Sequence, residues 1–422
     1  MNPEDFLQVY QRDEKYLVLN PLIPAWIVTN LNGVILVKTY AENPSIEKTI
    51  QKLAECTNDI PLQSVKTFLN NVRGNGLFRV PAATFVHKPY PLRAVYLNMT
   101  SHCNLNCIYC FATERIESKA DMNFNDYKKV LESVKNYNTH TEIIFTGGEP
   151  LTSALTIPVA KYSKSRGFTN KLMTNATLIT EENVRQLVNV FDSVKISLDG
   201  STAEKHNFYR GTGSYERTIR AIELLDKFNA NVSLAMVVTK KNCRDITNMA
   251  KKWGSRLSFQ PLFPLGNAKK NNNLYLSGKE YFETLRSAGV VPFMDLRTMI
   301  DSHTKNKTVL KCALGDAEVS ISCSGDVYPC QLLHYEAFKV GNLKKNSFDD
   351  IYQSEKLAKF KMHTVNCIEG CRDCDLKLLC GGACQARHFS ETGSLDVAGC
   401  FCEYERNGII DGLISSATLQ LV

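Results

Sequence analysis

The placement of the cysteines constrains this chain more than any other feature. Fifteen occur in 422 residues, well below the roughly 8–10% that marks a disulfide scaffold. Ten fall between Cys312 and Cys402, three between Cys103 and Cys110, and only Cys56 and Cys243 stand apart. Two tight clusters in a long chain favour metal ligation over disulfide stapling. An apolar fraction of 44% and a charged fraction of 22% permit buried cores and exclude wholesale disorder. The acidic opening Met1-Asn-Pro-Glu-Asp5 lacks the basic-then-apolar order of a secretory signal. No apolar run reaches the roughly 18 residues of a membrane span. A cytoplasmic location is therefore expected, where thiols stay reduced and free to bind metal. The net charge of +7 comes without a Lys/Arg run of five or more, so neither nucleic acid nor membrane is an expected partner.

The chain divides into three segments. Residues 1–80 read as a small α+β unit. Tyr16–Asn20, Ala25–Val28 and Val34–Val37 have strand composition, with Asn32-Gly33 as a hairpin signal. Two amphipathic helices follow, one spaced by Ile46, Ile50 and Leu53 and carrying Cys56, the other by Val65, Phe68, Leu69 and Val72. Nothing here looks catalytic, but a sheet with an open edge can bind an extended peptide by strand addition.

Residues 90–295 alternate strands with helices. The strands are expected at Ala94–Thr100, Glu142–Gly147, Lys171–Ala176, Ser193–Asp199, Val232–Thr239 and Arg256–Leu262. Helical spacings lie between them, as at Tyr127, Val130, Leu131 and Val134, and at Ile219, Ile222 and Leu225. Such alternation gives parallel β/α units with right-handed crossovers. Six strands are too few for a closed eight-stranded barrel, so a partial one is expected, with function at the C-terminal strand ends. Residues 300–422 are rich in Cys and Gly, lack clean periodicity, and would need metal as a staple.

The first cysteine cluster, Cys103-x3-Cys107-x2-Cys110, directly follows the first of these strands. A structural zinc site takes four ligands. Here three thiols converge in eight residues, with His102 or a distant group as the only fourth. Three thiolates on a 4Fe–4S cube leave one iron open for chemistry. This motif resembles that of the radical S-adenosylmethionine (SAM) superfamily, and the resemblance extends further. Gly147-Gly148-Glu149-Pro150 closes the second strand, where the glycines permit close backbone approach to a ligand and Glu149 can accept from an α-amino group. Asn175, Ser197 and Asp199 end later strands, Arg210 follows, and Tyr109 lies within the cysteine loop. The resemblance implies that these residues surround SAM. It also implies a reductive mechanism, in which the reduced cluster cleaves SAM and the 5′-deoxyadenosyl radical abstracts hydrogen.

In the third segment, Cys312 is followed by Gly325-x4-Cys330 and then by Cys371-x2-Cys374-x5-Cys380-x3-Cys384-x17-Cys402. This pattern resembles the SPASM extension, which implies two auxiliary 4Fe–4S clusters and three clusters in all. By that resemblance Cys371, Cys374, Cys380 and Cys402 hold the outer cluster. Cys312, Cys330 and Cys384 hold the inner one, with Cys323 as the expected fourth ligand unless that iron stays open. Cys367 and Cys400 have no role, although Cys400 competes with Cys402. Cys56 and Cys243 read as small buried hydrophobes.

The implied architecture is a partial (β/α)6 barrel, a Cys-rich iron–sulfur domain after it, and a winged-helix-like domain before it that resembles a leader-peptide recognition element. The implied activity is maturation of a ribosomally made precursor peptide with leader and core, using a flavodoxin- or ferredoxin-type electron donor. Thioether cross-linking is the expected reaction, with carbon–carbon cross-linking close behind. Sulfatase-maturing oxidases resemble this chain too, but they carry an acidic base directly after the G-x4-C cysteine, where Gln331 stands here. A zinc-stapled binding protein is the non-enzymatic rival. Pro261–Gly266 is expected to line the substrate channel.

Overall fold

The computed structural model describes residues 3–23, 25–54, 61–80, 89–114, 121–138, 140–290 and 311–416. Cys56 lies outside them. The chain opens with an antiparallel sheet of β1 (Gln8–Arg12), β2 (Lys15–Asn20) and β3 (Ala25–Thr29), with β2 in the centre. Three helices follow, Leu31–Glu42, Ile46–Ala54 and Leu62–Gly74.

Two features depart from expectation here. β1 was not anticipated, because Gln-Val-Tyr-Gln-Arg is a polar edge strand with little apolar alternation. Val34–Val37 was expected as a strand after a hairpin at Asn32-Gly33, yet it lies inside the helix Leu31–Glu42. β-Branched composition suggests a strand, but two other signals prevail. Asn30 caps the helix by accepting from Gly33 N, and Val34, Val37 and Ala41 fall on one buried face. Gly33 is needed there, since a Cβ would collide with the Thr29 side chain.

Among the described residues the main sheet has nine strands, in the order β12 (Gly341–Asn342), β11 (Asp326–Tyr328), β10 (Glu318–Ile321), β4 (Ala94–Asn98), β5 (Glu142–Thr146), β6 (Thr169–Thr174), β7 (Ser193–Ser197), β8 (Val232–Val238) and β9 (Leu257–Pro261). β4, β5, β6, β7, β8 and β9 are the six expected strands, parallel and in sequence order. Val95, Leu97, Ile143, Phe145, Leu172, Val194, Ile196, Leu234 and Met236 are buried in one core with the crossover helices. Those helices include Phe124–Lys135, which buries Tyr127, Val130, Leu131 and Val134, and Ser214–Lys227, which buries Ile222 and Leu225. Residues of the opposite parity, among them Tyr96, Glu142, Lys171, Lys195 and Ser197, take the other face of the sheet.

The Cys-rich segment does not stand apart from this sheet. Its β10 (Glu318–Ile321) pairs in parallel with β4, while β11 (Asp326–Tyr328) and β12 (Gly341–Asn342) continue antiparallel. The terminal helix Cys402–Ser416 then returns to the N-terminal sheet. Leu17, Leu19 and Val28 form one core with Leu376, Leu379, Ile409, Ile410 and Leu413. Val18 and Ile27 pack on the opposite face against the helices that follow. Both faces of β2 are covered, which explains its unbroken apolar run. Arg12 adds an ion pair to Asp411 at 2.7 Å. Among the described residues no helix is long and apolar enough to cross a membrane.

Candidate functional site

The three cysteines Cys103, Cys107 and Cys110 lie on the loop leaving β4, and neighbouring strand ends hold that loop by backbone contacts. Gly148 N donates to Thr100 O at 2.8 Å, and Glu149 N donates to His102 O at 2.9 Å. Gly147 has a positive φ of 131°, and a Cβ on Gly148 would overlap the His102 carbonyl. The close approach that these glycines permit is therefore to the cysteine loop. From the far side Asn267 N donates to Cys110 O at 2.9 Å. Asn271 Nδ2 donates to Ile108 O at 2.7 Å, and a Cβ on Gly266 would overlap the Cys110 carbonyl. Gly266, expected beside a substrate channel, packs on this loop.

Glu149 is buried, and burial raises its pKa. Its carboxylate accepts from Leu151 N at 3.1 Å, Thr174 Oγ1 at 2.7 Å and Asn175 N at 2.9 Å. Pro150 opens the short turn Pro150–Thr152. The Asn175 amide donates to Asn104 Oδ1 at 2.9 Å, joining the end of β6 to the cysteine loop. Ser197 is half-buried at the end of β7.

Asp199, Arg210 and Tyr109 form a buried triad. The Asp199 carboxylate accepts from Arg210 Nε and Tyr109 Oη, and also from Val237 N at 2.9 Å. Arg210 Nη2 donates to Tyr109 Oη at 2.7 Å. These side chains are committed to one another. Arg210 also acts on the thiols: burial pushes Cys107 up to about 11 and raises Cys103, while the guanidinium favours thiolate at both.

The later cysteines separate into two sets. Cys312, Cys330 and Cys384 interact electrostatically with one another, and burial raises all three, Cys312 to about 12. Cys402 interacts with Cys371, Cys374 and Cys380. Cys400 instead faces Glu391 and Tyr275, and Cys367 is exposed. Cys243 is half-buried and donates to Lys240 O at 3.3 Å.

Cys323 does not join the inner set. It sits in the turn between β10 and β11 beside Asp121 and Ser101, whereas Cys330 follows the far end of β11. The register Ser320↔Tyr328 and Ile321↔Val327 sets Cys330 opposite residue 318, about 16 Å along the strand from residue 323. The structure therefore does not bring Cys323 together with the inner set.

Residues that sequence reasoning passed over tie these parts together. Buried Arg387, three positions after Cys384, donates to Leu262 O at 2.7 Å. Its guanidinium lies 3.8 Å from the Phe263 ring centre and 4.2 Å from that of Phe401. On the sheet face away from the helices, Lys171 pairs with Glu142 at 2.9 Å. Lys195 beside it has no carboxylate partner among the described residues, and burial with the neighbouring Lys171 lowers its pKa.

The fit to iron–sulfur clusters rests on this grouping. Among the described residues no three Cys, His, Asp or Glu side chains converge on a point that one ion could fill. A cube, in which each thiolate meets a different iron, needs grouped thiols instead of a common centre.

Comparison with known proteins agrees. The radical SAM superfamily profile matches residues 97–252. The SPASM iron–sulfur cluster-binding domain profile matches residues 312–375. An AdoMet-dependent heme synthase of Methanosarcina barkeri is 26% identical over 345 residues, spanning 74% of this chain and 96% of that protein. The antilisterial bacteriocin subtilosin biosynthesis protein AlbA of Bacillus subtilis is 27% identical over 310 residues, spanning 70% of this chain and 67% of that protein. The crystal structure of Streptococcus suis SuiB bound to precursor peptide SuiA matches with a TM-score of 0.59 at 15% identity, over 96% of this chain and 99% of that one.

Proposed function

We propose that this chain, an enzyme carrying a radical SAM domain and a SPASM domain, cross-links a ribosomally synthesised peptide oxidatively, with a thioether as the favoured product and a carbon–carbon bond as the second. One observation carries the choice of a peptide. The resemblance to peptide-bound SuiB runs through 96% of the chain and so takes in the N-terminal sheet.

In this reading Cys103, Cys107 and Cys110 hold the SAM-binding cluster, and the two later sets hold auxiliary clusters. When bound, SAM and a reduced cluster supply a 5′-deoxyadenosyl radical that takes hydrogen from an unactivated carbon. The chain provides position and exclusion of water. Glu149, Asn175 and Ser197 border the nucleoside at the ends of β5, β6 and β7. The Asp199–Arg210–Tyr109 triad fixes the loop beneath it. The sheet face with Lys171 and Lys195 receives the core peptide. An edge of the N-terminal sheet, β1 or β3, takes the leader as an added strand, which raises the effective concentration of the core. Gln331 after Cys330 offers no base of the kind a formylglycine-forming oxidase needs. A flavodoxin or ferredoxin supplies the electron.

The test is anaerobic co-expression with a small Cys-containing peptide encoded beside the gene, followed by mass spectrometry. Loss of two hydrogens per modification is expected. An unmodified peptide, together with iron-loaded protein that releases no 5′-deoxyadenosine from SAM under dithionite, overturns the proposal.

A further inference from the structure

We propose that the carboxylate of Glu318 is the fourth protein ligand of the inner auxiliary cluster, completing Cys312, Cys330 and Cys384. The assignment rests on the iron–sulfur reading above. Continuing the β10–β11 register from Ser320↔Tyr328 brings Glu318 opposite Cys330. Both have the parity of Ser320 and Tyr328 and therefore share one face of the sheet. The Glu318 side chain hydrogen-bonds with Cys330 and interacts with Cys312 as well. Its strand is fixed on the other side by β4, with Glu318 aligned to Ala94. Glu318 N donates to Ala313 O at 3.2 Å, which draws the residue after Cys312 against it.

Among the described residues no Lys or Arg acts directly on Glu318, and its acidic neighbour Asp316 is already paired with Lys311 at 3.1 Å. A carboxylate held away from water among thiols is unfavourable without a cation of its own. Iron supplies that charge. Oxygen is a harder donor than sulfur, so of the four ligands Glu318 is the one that a peptide thiolate would displace. No electron moves in that exchange: one Fe–O bond breaks, one Fe–S bond forms, and the proton given up as the peptide thiol becomes a thiolate passes to the released carboxylate.

The test uses full-length, anaerobically reconstituted protein carrying Cys103→Ala, Cys107→Ala and Cys110→Ala, so that only auxiliary clusters give a signal. Glu318→Gln and Glu318→Cys are compared with the parent by iron content, electron paramagnetic resonance of the reduced protein and midpoint potential. Glu318→Gln is expected to change the inner-cluster spectrum and lose iron from it. Glu318→Cys is expected to keep the iron, lower the potential and stop responding to added 2-mercaptoethanol, which shifts the parent spectrum. Cys323→Ala is expected to leave the iron and spectra unchanged. A Glu318→Gln spectrum and potential identical to the parent, or an inner-cluster signal lost in Cys323→Ala instead, overturns the assignment. Parent protein without auxiliary iron overturns the iron–sulfur reading itself.

Discussion

Arg210 donates through Nε to the carboxylate of Asp199, and the two side chains are nearly sealed from water, 9% and 0% exposed. Each is held by more than the other. Asp199 also accepts from Val237 N, and Arg210 also reaches Tyr109 Oη. Removing one partner of such a pair strands a buried charge, which costs about 3–5 kcal/mol, while replacing both costs far less. Arg210→Met and Asp199→Asn are each expected to lower the urea midpoint and release iron from the cysteine loop, because Tyr109 loses its anchor. The double variant should recover part of the loss, giving a coupling measurable in a double-mutant cycle.

Gly148 and Gly266 clamp the cysteine loop from opposite sides. A Cβ at either position meets backbone, the carbonyls of His102 and Cys110, and backbone cannot swing aside as a side chain can. Gly148→Ala and Gly266→Ala should therefore displace the loop and lower iron at the SAM-binding cluster. Gly167 provides the contrast: its φ is +90° with open space around it. Gly167→Ala pays backbone strain alone, about 1 kcal/mol, and should keep its iron. Iron per chain and release of 5′-deoxyadenosine check all three.

The six parallel strands were readable in the sequence because alternate apolar residues must bury against the crossover helices. The cysteine loop and its Gly-Gly-Glu-Pro neighbour were readable because their order is local. What escaped depends on register or on packing between distant segments. Glu318 looks like an ordinary surface acid until β11 folds back and sets Cys330 opposite it. Cys323 looks like the nearest spare thiol until the same register carries it to the other end of the strand. Asp199 and Arg210 read as ligand contacts, and their pairing with each other and with Tyr109 depends on packing that the sequence does not display. The helix at Leu31–Glu42 was hidden by β-branched composition, and the cap at Asn30 overrides it.

The N-terminal sheet docks on the terminal helix by apolar contact more than by charge. Leu413 is fully buried in the shared core with Leu17, Leu19 and Val28. Leu413→Ala should cost about 2–5 kcal/mol through the lost contacts and the cavity. Arg12 and Asp411 are 29% and 20% exposed, and Arg12→Ala should cost about 1 kcal/mol or less. Thermal midpoints rank the two; an equal or larger effect for Arg12→Ala would refute the apolar account. Deleting residues 1–80 would bare this core, so leader recognition is better tested by titrating a labelled leader peptide against the intact chain.

His206 predicts a specific pH dependence. It is fully buried, its Nδ1 accepts from Asp199 N at 3.2 Å, and its Nε2 has no hydrogen-bond partner among the described residues. Burial, with Arg210 nearby, lowers its pKa to about 4, against the weaker opposing pull of Asp199 and Glu216. The unfolded chain takes up the proton near pH 6.5, whereas the folded protein resists it until about pH 4. The unfolded state therefore binds more protons across that window, and stability rises with pH through it. Moving from pH 7 to pH 5 should cost about 2 kcal/mol through this group alone. His206→Asn keeps a side-chain acceptor and cannot titrate. Its unfolding free energy should start lower at pH 7 and fall by about 2 kcal/mol less than the parent's between pH 7 and pH 5. Parallel pH profiles for the two proteins in urea titrations would show that His206 titrates in the fold as it does in the unfolded chain, and would refute its lowered pKa.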